Sequence, residues 1–431
     1  MQEHGARATR ALVLHPDISG SRGRRDAGPA LAEAVALAHA LPGIEVLGGE
    51  VVPVREVRPA TLFGKGKVEE LRLRIEADEV ELVLVDGPVT PVQQRNLEKA
   101  WKAKLLDRTG LILEIFSDRA ATREGVLQVE MAALSYQRTR LVRAWTHLER
   151  QRGGLGFVGG PGETQIEADR RAIDVQLMRL KRQLSEVVRT RELHRAARAK
   201  VPYPIVALVG YTNAGKSTLF NRLTGADVMA ADMLFATLDP TMRAVRLPTG
   251  DDVILSDTVG FVSDLPTQLV AAFRATLEEV LSADLILHVR DIAHPETEGQ
   301  AREVRRILHD LGVPDDLPTL EVWNKADLLP PEAAEAARAV AERKAGTFLA
   351  SALTGEGMGP VLEAVSEQLS GARRSEALHL PFEDGRRRAW LYEQGVVEEE
   401  ARGEEGFDLR VRWSARQAAR FAEMDGAGEG A

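Results

Sequence analysis

The segment "IVALVGYTNAGKSTLFNRL", residues 205–223, has the pattern of an apolar strand, a glycine-rich turn and the start of a helix. Gly210, Gly215, Lys216 and Ser217 have the spacing of a phosphate-cradling loop. In such a loop, backbone N–H groups turn towards phosphate oxygens, and the dipole of the following helix favours negative charge. We expect Lys216 to reach the β- and γ-phosphates of a nucleotide and the Ser217 hydroxyl to bind magnesium.

Two residues further along the chain would complete the phosphate end of this site. Asp257 ends the apolar strand "VILSD", and Gly260 follows three residues later. We expect Asp257 to hold magnesium through water and the Gly260 N–H to sense the γ-phosphate. A threonine of a first switch should close over the γ-phosphate and magnesium, and "MLFATLDPTMR" contains Thr237 and Thr241. Spacing alone does not choose between these two threonines.

A third group of residues predicts which base is bound. The segment "LEVWNKAD" places Asn324, Lys325 and Asp327 at the end of an apolar strand. An aspartate carboxylate can accept from both N1–H and N2–H of guanine, a donor pair that adenine lacks. The Lys325 stem would lie along the base, and the backbone of Ser351 and Ala352 in "FLASALTG" would contact the guanine O6. Four motifs in this order, each at a strand end, predict a GTP site.

The composition is that of a globular protein with room for about three domains of ordinary size. The chain has 431 residues, of which 44% are hydrophobic and 28% charged. Its apolar runs break too early for a transmembrane span, and the N-terminus lacks a secretory signal. It has no cysteine, which excludes disulfides and thiolate zinc sites. We predict a cytoplasmic monomer and leave peripheral association with a membrane open.

Charge is unevenly distributed, because residues 137–200 carry fifteen Lys and Arg against seven Asp and Glu, a net +8 in a chain of net −9. Leu127, Leu134, Leu141 and Leu148 repeat every seven residues, which predicts one seam of a long helix. A second apolar seam follows "RGGLGFVGGPGE", whose six glycines and one proline should end both helices. We predict an antiparallel helical hairpin over 121–200 that contacts a polyanion. The alternative is a coiled-coil spacer with a solvated basic face.

Four domains are predicted along the chain, at 1–120, 121–200, 201–372 and 373–431. In the first, strand candidates such as "RALVL", "VELVLVDG" and "LILEIF" alternate with helical stretches, which indicates a small α/β domain. The last contains "FDLRVRW" with strand alternation and should be a small α+β domain whose final residues are disordered. The predicted fold class is α/β: a P-loop GTPase domain, preceded by the α/β domain and hairpin and followed by the α+β domain.

Several of these motifs resemble the HflX GTPases, in the group that includes Era, Obg and TrmE. The resemblance rests on "GYTNAGKS", "FATLD", "DTVGF" and "NKAD", and outside that domain on "FGKGKVEEL", "DRTGLILEIF", "QVEMAAL" and "GGPGETQIEADRR". It covers about residues 1–370, and "GGPGETQ" is its most specific part, since general GTPases lack it. It implies a GTPase that binds the large ribosomal subunit and separates stalled or idle ribosomes under stress. The hairpin and its glycine-rich loop would reach into ribosomal RNA near the peptidyl-transferase centre.

The resemblance also favours Thr237 as the magnesium threonine. The candidate catalytic residues are then Lys216, Thr237, Gly260 and Asn213, and the candidate magnesium ligands are Ser217 and Thr237. The predicted nucleotide contacts are Gly210, Tyr211, Thr212, Asn213, Ala214, Gly215, Lys216, Ser217, Thr218, Phe235, Ala236, Thr237, Leu238, Asp239, Asp257, Thr258, Val259, Gly260, Asn324, Lys325, Ala326, Asp327, Ser351, Ala352 and Leu353.

Phe261 follows the switch glycine, where small signalling GTPases carry the glutamine that orients the attacking water. On one interpretation it is merely a packed apolar residue beside the switch, and on a second, functional interpretation it also shows that the domain lacks its own water-positioning group. In the second case hydrolysis is slow alone and stimulated by the large subunit. Asn213 either favours the turn or accompanies a potassium ion that bridges the phosphates, as in Era- and TrmE-like GTPases.

The alternative function is a GTP-dependent RNA-binding factor in ribosomal subunit assembly. Era-type proteins of that kind carry a C-terminal RNA-binding module with a GxxG loop. In this chain the basic hairpin precedes the nucleotide domain instead.

Overall fold

The computed structural model describes residues 7–20, 25–151, 161–198, 203–226, 234–235, 241–263, 280–370, 373–403, 405–414, 417–418, 421–422 and 424. The N-terminal part alternates strands and helices, as predicted: β1 (Thr9–Ile18), α1 (Ala27–His39), β2 (Ile44–Val54), α2 (Lys65–Ala77), β3 (Leu82–Val85), α3 (Pro91–Trp101), β4 (Lys104–Asp107) and α4 (Arg108–Arg119). The strands form a parallel sheet in the order β2-β1-β3-β4. Asp86 and Arg108, which follow β3 and β4, therefore meet at one edge of the sheet, where the Arg108 Nη1 lies 2.5 Å from the Asp86 carboxylate.

The strand predicted at "LILEIF", residues 111–116, is wrong, because this segment is the middle of helix α4. Asp107 caps the helix by accepting a hydrogen bond from the Gly110 N–H at 2.9 Å. The apolar residues of the segment are buried because α4 packs against β3, β4, α1 and the helix that follows. A short apolar run of this kind does not distinguish a buried helix from a buried strand.

Two long helices follow, α5 (Arg123–Gln151) and α6 (Pro161–Arg198), which we call the arm. They pack together, and Arg138 and Asp174 form an ion pair of 2.7 Å. Arg138 lies thirteen positions before the end of α5, and Asp174 lies thirteen positions after the start of α6, as in an antiparallel hairpin. The predicted glycine-rich loop is too long at its C-terminal end, because α6 already begins at Pro161, a position where proline is favoured. Residues 152–160 of that loop lie outside the described residues.

The central part is built on a six-stranded sheet in the order β10-β9-β8-β5-β7-β6, parallel except for β6. Its elements are β5 (Ile205–Gly210), α7 (Lys216–Thr224), β6 (Thr241–Arg246), β7 (Asp252–Asp257), β8 (Leu285–Asp291), α8 (Thr297–Asp310), β9 (Thr319–Asn324), a 3-10 turn (Ala326–Leu328), α9 (Pro331–Arg343), β10 (Thr347–Leu349) and α10 (Met358–Ser370). Since the parallel strands end at one edge, the motifs after β5, β7, β9 and β10 converge there.

The C-terminal part is a three-stranded antiparallel sheet with one helix: β11 (Arg373–Pro381), α11 (Gly385–Glu393), β12 (Val397–Arg402) and β13 (Gly406–Ser414), in the order β11-β13-β12. The predicted alternation is present in β13, where Leu409, Val411 and Trp413 are buried between exposed arginines and pack with Leu391 of α11. None of the helices and strands named above crosses a predicted domain boundary. The boundaries themselves stay predictions.

A single buried core joins the N-terminal domain to the central domain. Within it, the ring of Phe116 in α4 meets the ring of Phe235 edge-on, with centroids 4.6 Å apart. In the part of the chain that the structure describes, no helix has the length and apolar character needed to cross a membrane.

Candidate nucleotide-binding site

The phosphate loop connects β5 to α7, and two of its residues need unusual backbone conformations. Gly215 has φ +89°, and a Cβ on it would lie 2.2 Å from the Asn324 Nδ2, so only glycine fits. Asn213 has φ +58°, which asparagine tolerates better than most residues. Its side chain is exposed. The geometry therefore accounts for Asn213 as a turn residue without requiring an ion.

Lys216 is the first residue of α7 and is buried beneath this loop. Its Nζ donates to the carbonyls of Gly210 (3.2 Å) and Tyr211 (2.9 Å). Burial lowers the pKa of Lys216 to about 8, although the charge of Asp257 acts in the opposite direction. The ammonium group is thus held among backbone carbonyls, where an anion beside the loop would stabilise its charged form.

The two predicted magnesium-binding groups beside the loop are brought together. The Ser217 hydroxyl donates to the Asp257 carboxylate at 2.7 Å, and Asp257 is fully buried at the end of β7. A hydroxyl and a carboxylate are oxygen donors of the type that Mg²⁺ prefers, so these two residues fit that ion. Thr241 is paired with Asp257 across the β6–β7 ladder, whereas Thr237 lies outside the described residues.

Residues 258–263, which we call the second switch, are packed directly on the phosphate loop. The Phe261 N–H donates to the Gly210 carbonyl at 3.1 Å, and the Phe261 carbonyl accepts from the Thr212 N–H at 2.6 Å. A Cβ on Gly260 would lie 2.8 Å from the Thr212 Cγ2 and 3.1 Å from the Lys216 Nζ, so this close approach requires glycine. The predicted γ-phosphate sensor therefore lies beside the predicted phosphate-binding lysine.

The guanine end of the site is braced by the buried Asn324. Its Nδ2 donates to the Ala214 carbonyl at 2.8 Å, and its Oδ1 accepts from the Ala352 N–H at 2.8 Å. The Ser351 hydroxyl donates to Asp327 at 2.6 Å, which fixes a carboxylate on an exposed residue. Because these bonds span the phosphate loop, "NKAD" and "SAL", the predicted base-binding and phosphate-binding motifs form one connected site.

Some predicted contacts have side chains that are bonded or packed within the protein, and others are not described. Lys325 has φ +64°, and its Nζ pairs with Asp291 at 2.8 Å. The Thr258 hydroxyl donates to the Leu208 carbonyl at 2.6 Å, and the side chains of Val259 and Phe235 are in the core. The side chains of these last three residues therefore serve packing. Residues 236–240, which include the predicted Ala236, Thr237, Leu238 and Asp239, lie outside the described residues.

Comparisons with known proteins match this arrangement over nearly the whole chain. Family models match at residues 29–117 ("GTP-binding GTPase N-terminal"), 119–198 ("GTP-binding GTPase Middle Region"), 205–325 ("50S ribosome-binding GTPase") and 336–430 ("HflX C-terminal domain"). The chain is 50% identical over 408 residues to the GTPase HflX of Magnetococcus marinus, which covers 94% of this chain and 92% of that protein. The chain belongs to the HflX family of GTPases. It is 44% identical over 371 residues to the GTPase HflX of Escherichia coli, which covers 86% of each chain.

Membership of the HflX family makes the chain a GTPase, and its central domain matches the model of ribosome-binding GTPases. Among solved structures, a GTP-binding protein of Sulfolobus solfataricus in complex with GDP is 20% identical with a TM-score of 0.45. That similarity covers 84% of this chain and 98% of the other.

One residue of this HflX-family site was not predicted from the sequence. Arg222, in the last turn of α7, donates from Nε to the Ala352 carbonyl at 3.0 Å and from Nη2 to the Leu353 carbonyl. It thereby holds the "SAL" loop from the phosphate-loop helix. Its partners lie about 130 positions away in the chain, and no local sequence signal connects them.

Proposed function

We propose that the chain is a GTP-driven switch that binds the large ribosomal subunit through its arm and dissociates stalled or idle ribosomes. The observation that supports this most is the combination of a guanine-nucleotide site, in which Asn324 connects the phosphate loop to the base-binding motifs, with a long basic arm. Helix α6 has 38 residues, which corresponds to about 57 Å. An arm of this length can contact RNA far from the site of hydrolysis.

In this proposal the phosphate loop, residues 210–218, binds the phosphates through its backbone, and Lys216 contacts the β- and γ-phosphates. The Gly260 N–H binds the γ-phosphate. Asp327 accepts from the guanine N1–H and N2–H, and the backbone of Ser351 and Ala352 lies at O6.

Ser217, Thr237 and, through water, Asp257 hold magnesium, which neutralises charge on the phosphates when it is bound. A potassium ion beside Asn213 is a further proposal. It is tested by comparing GTP turnover in potassium and sodium buffers of equal ionic strength. Equal rates would exclude the ion.

The described outer face of α6 suits a polyanion. Arg171, Arg182 and Arg189 are exposed along it, and Val175 and Met178 are also exposed, at 60% and 65%. Phosphate groups attract the arginines, and exposed apolar side chains can pack against bases. The binding should therefore be salt-sensitive and directed mainly by the shape of the RNA.

We further propose that hydrolysis is slow in the free protein and stimulated by the subunit, because the Phe261 side chain cannot orient water. A partner that orders the switches can raise GTPase rates by about 10³–10⁵. The test is GTP turnover by the purified protein, alone and with mature large subunits, at matched salt in potassium buffer. Unchanged turnover with subunits would refute the stimulation.

The arm is tested by the double variant Arg171→Glu and Arg182→Glu, with Arg302→Glu on α8 as a control that is also exposed. We expect subunit affinity to fall at least tenfold in the arm variant and to stay unchanged in the control. Ribosome splitting is measured by gradient sedimentation of joined ribosomes with GTP. If the protein instead binds only precursor subunits and leaves joined ribosomes intact, the assembly role is correct.

A further inference from the structure

A buried arginine of the N-terminal domain is hydrogen-bonded to the second switch. Arg108, at the start of α4, donates to the Ser263 carbonyl from both Nη2 (2.9 Å) and Nε (3.2 Å). Ser263 follows Phe261 by two residues and is therefore part of the segment packed on the phosphate loop. Arg108 reaches this carbonyl across the boundary between the two domains.

The same serine is held from the phosphate loop. Its N–H donates to the Tyr211 hydroxyl at 2.7 Å, and its side-chain oxygen lies 2.5 Å from that hydroxyl. Tyr211 in turn donates its single proton to the Glu33 carboxylate of α1 at 2.5 Å. Glu33 also pairs with Arg108. The N-terminal domain thus fixes the Ser263 carbonyl directly and its N–H through Tyr211.

The side chains that form these hydrogen bonds are buried. Arg108 is 5% exposed, and Tyr211 is 4% exposed. Burial alone would lower the pKa of Arg108, but the carboxylates of Asp86 and Glu33 outweigh it, so the pKa is raised and the side chain stays charged. A hydrogen bond from a charged donor to a buried carbonyl is among the stronger ones in proteins. Ser263 therefore has a well-defined position as long as α4 keeps its own.

The residue before Arg108 is bonded to the arm. Asp107 accepts from the Tyr136 hydroxyl at 2.6 Å and from Arg140 Nη1 at 3.1 Å, and both donors are on α5. Asp107 ends β4 and caps α4, so its backbone is fixed relative to that of Arg108. Two consecutive residues thus contact the base of the arm on one side and the second switch on the other.

We propose that Asp107 and Arg108 form the junction that couples the arm to the nucleotide site, with Arg108 as a positioning residue for the second switch. A displacement of α5 moves Asp107 and, through the rigid start of α4, the hydrogen bonds on Ser263. Coupling is reciprocal, so a change of nucleotide also alters the base of the arm. This inference rests on the proposed function, in which the arm binds the large ribosomal subunit. The coupling between the arm and the nucleotide site does not itself require the ribosome.

The test uses the full-length free protein and amide hydrogen exchange in the base of the arm, residues 128–140. We expect exchange there to differ between the GDP-bound protein and the protein bound to a non-hydrolysable GTP analogue. Tyr136→Phe removes the hydroxyl that bonds Asp107 and should abolish this difference. Arg108→Lys keeps the charge facing Asp86 and loses the paired donors to Ser263, and should also abolish it.

Tyr392→Phe is the matched control. It removes a hydroxyl that donates to the Glu400 carboxylate at 2.7 Å in the C-terminal domain, and the exchange difference should survive. With large subunits, Tyr136→Phe should lower stimulated kcat at least fivefold, with unchanged KM for GTP, unchanged subunit binding and unchanged basal turnover. A structural defect would instead change basal turnover and the melting temperature.

The outcomes separate the two proposals. If wild-type turnover is not stimulated by subunits but exchange at residues 128–140 depends on the nucleotide and on Tyr136, the coupling holds and the ribosome-stimulated function fails. If exchange in the arm base is the same with both nucleotides, the junction is refuted even where subunits stimulate hydrolysis. It is refuted likewise if the difference between the two nucleotides keeps its wild-type size in Tyr136→Phe and Arg108→Lys.

Discussion

Phe261 and Gly210 are joined by a backbone hydrogen bond of 3.1 Å, which pairs the second switch with the phosphate loop in parallel orientation. The Phe261 ring is 1% exposed and belongs to the core shared with the N-terminal domain. The interpretation of Phe261 as a packed residue is therefore correct. It also explains why the side chain cannot reach a water molecule: its backbone meets the loop while its ring faces the core.

We predict that Phe261→Gln destabilises the central domain by about 3 kcal/mol and does not raise basal GTP hydrolysis. The amide would be buried without a partner, and the packing of the ring would be lost. Denaturant unfolding and single-turnover hydrolysis measure the two effects. Phe261→Leu is the control and should cost less than about 1.5 kcal/mol. A glutamine variant that hydrolyses GTP tenfold faster would show that this position does reach the attacking water.

Nucleotide affinity should depend on pH through Lys216. Because the pKa of its free-state ammonium is about 8 and bound phosphates would raise it, binding above pH 8 takes up a proton. We predict an affinity for GDP that is flat below about pH 7.5 and falls by up to tenfold per unit above pH 8, measured by fluorescence titration. Lys216→Arg should bind more weakly but without this slope, since arginine stays charged. The same slope in the arginine variant would assign the pH dependence to another group.

The contribution of Lys216 to the free energy of unfolding changes with pH in the opposite direction to its contribution to nucleotide affinity. In the free protein the folded-state pKa of Lys216 lies below its ordinary value of 10.5. The unfolded chain therefore holds the proton more tightly, and this group makes the free protein more stable as pH rises from about 8 to 10.5.

Asp327→Asn should change the base that is bound. The asparagine amide can donate to the 2-oxo group of xanthine, whereas the carboxylate of Asp327 is suited to the two donors of guanine. We predict that affinity for GDP falls about 10- to 100-fold, as for a lost charged hydrogen bond, and that affinity for xanthosine diphosphate rises. Competition binding measures both. Asp316→Asn, also exposed, should bind GDP as the wild type does.

Arg222→Ala should weaken GTP and GDP equally, by about tenfold, with no change in kcat. The reason is that Arg222 bonds the Ala352 and Leu353 carbonyls and so orders the loop that, in the proposed function, lies at the guanine base. Arg222→Lys should not restore affinity, because an ammonium lacks the planar pair of donors. Arg246→Ala is the control, as Arg246 is exposed on β6. Unchanged nucleotide affinity in Arg222→Ala would mean that the loop is ordered without it.

The local motifs of the site could be predicted because each is confined to a few consecutive residues. The phosphate loop, Asp257 and "NKAD" follow apolar strands, and the parallel sheet brings strand ends together. The helical arm was predictable for the same reason, since its seams repeat along one stretch of chain. By contrast, Arg108 and Ser263 are 155 positions apart, and Tyr211 and Glu33 are 178 apart.

The fold prediction was wrong where burial by neighbouring elements hides the helical periodicity of the sequence. In α4, residues that a solvated helix would leave polar are apolar, because the helix is covered by several neighbours. The strand β4 before it has only four residues and no strong local signal. Long-range contacts decide such positions, and a single sequence does not display them.

Asn324 makes the two ends of the nucleotide site mechanically dependent on each other, since one amide bonds both the phosphate loop and the loop at the base. Guanine and diphosphate belong to one molecule, so the binding of either group raises the effective concentration of the other at its own subsite. Guanosine and pyrophosphate added as separate molecules would lose this advantage. Because both loops are bonded to the same amide, we expect a change that displaces the base loop to weaken phosphate binding as well.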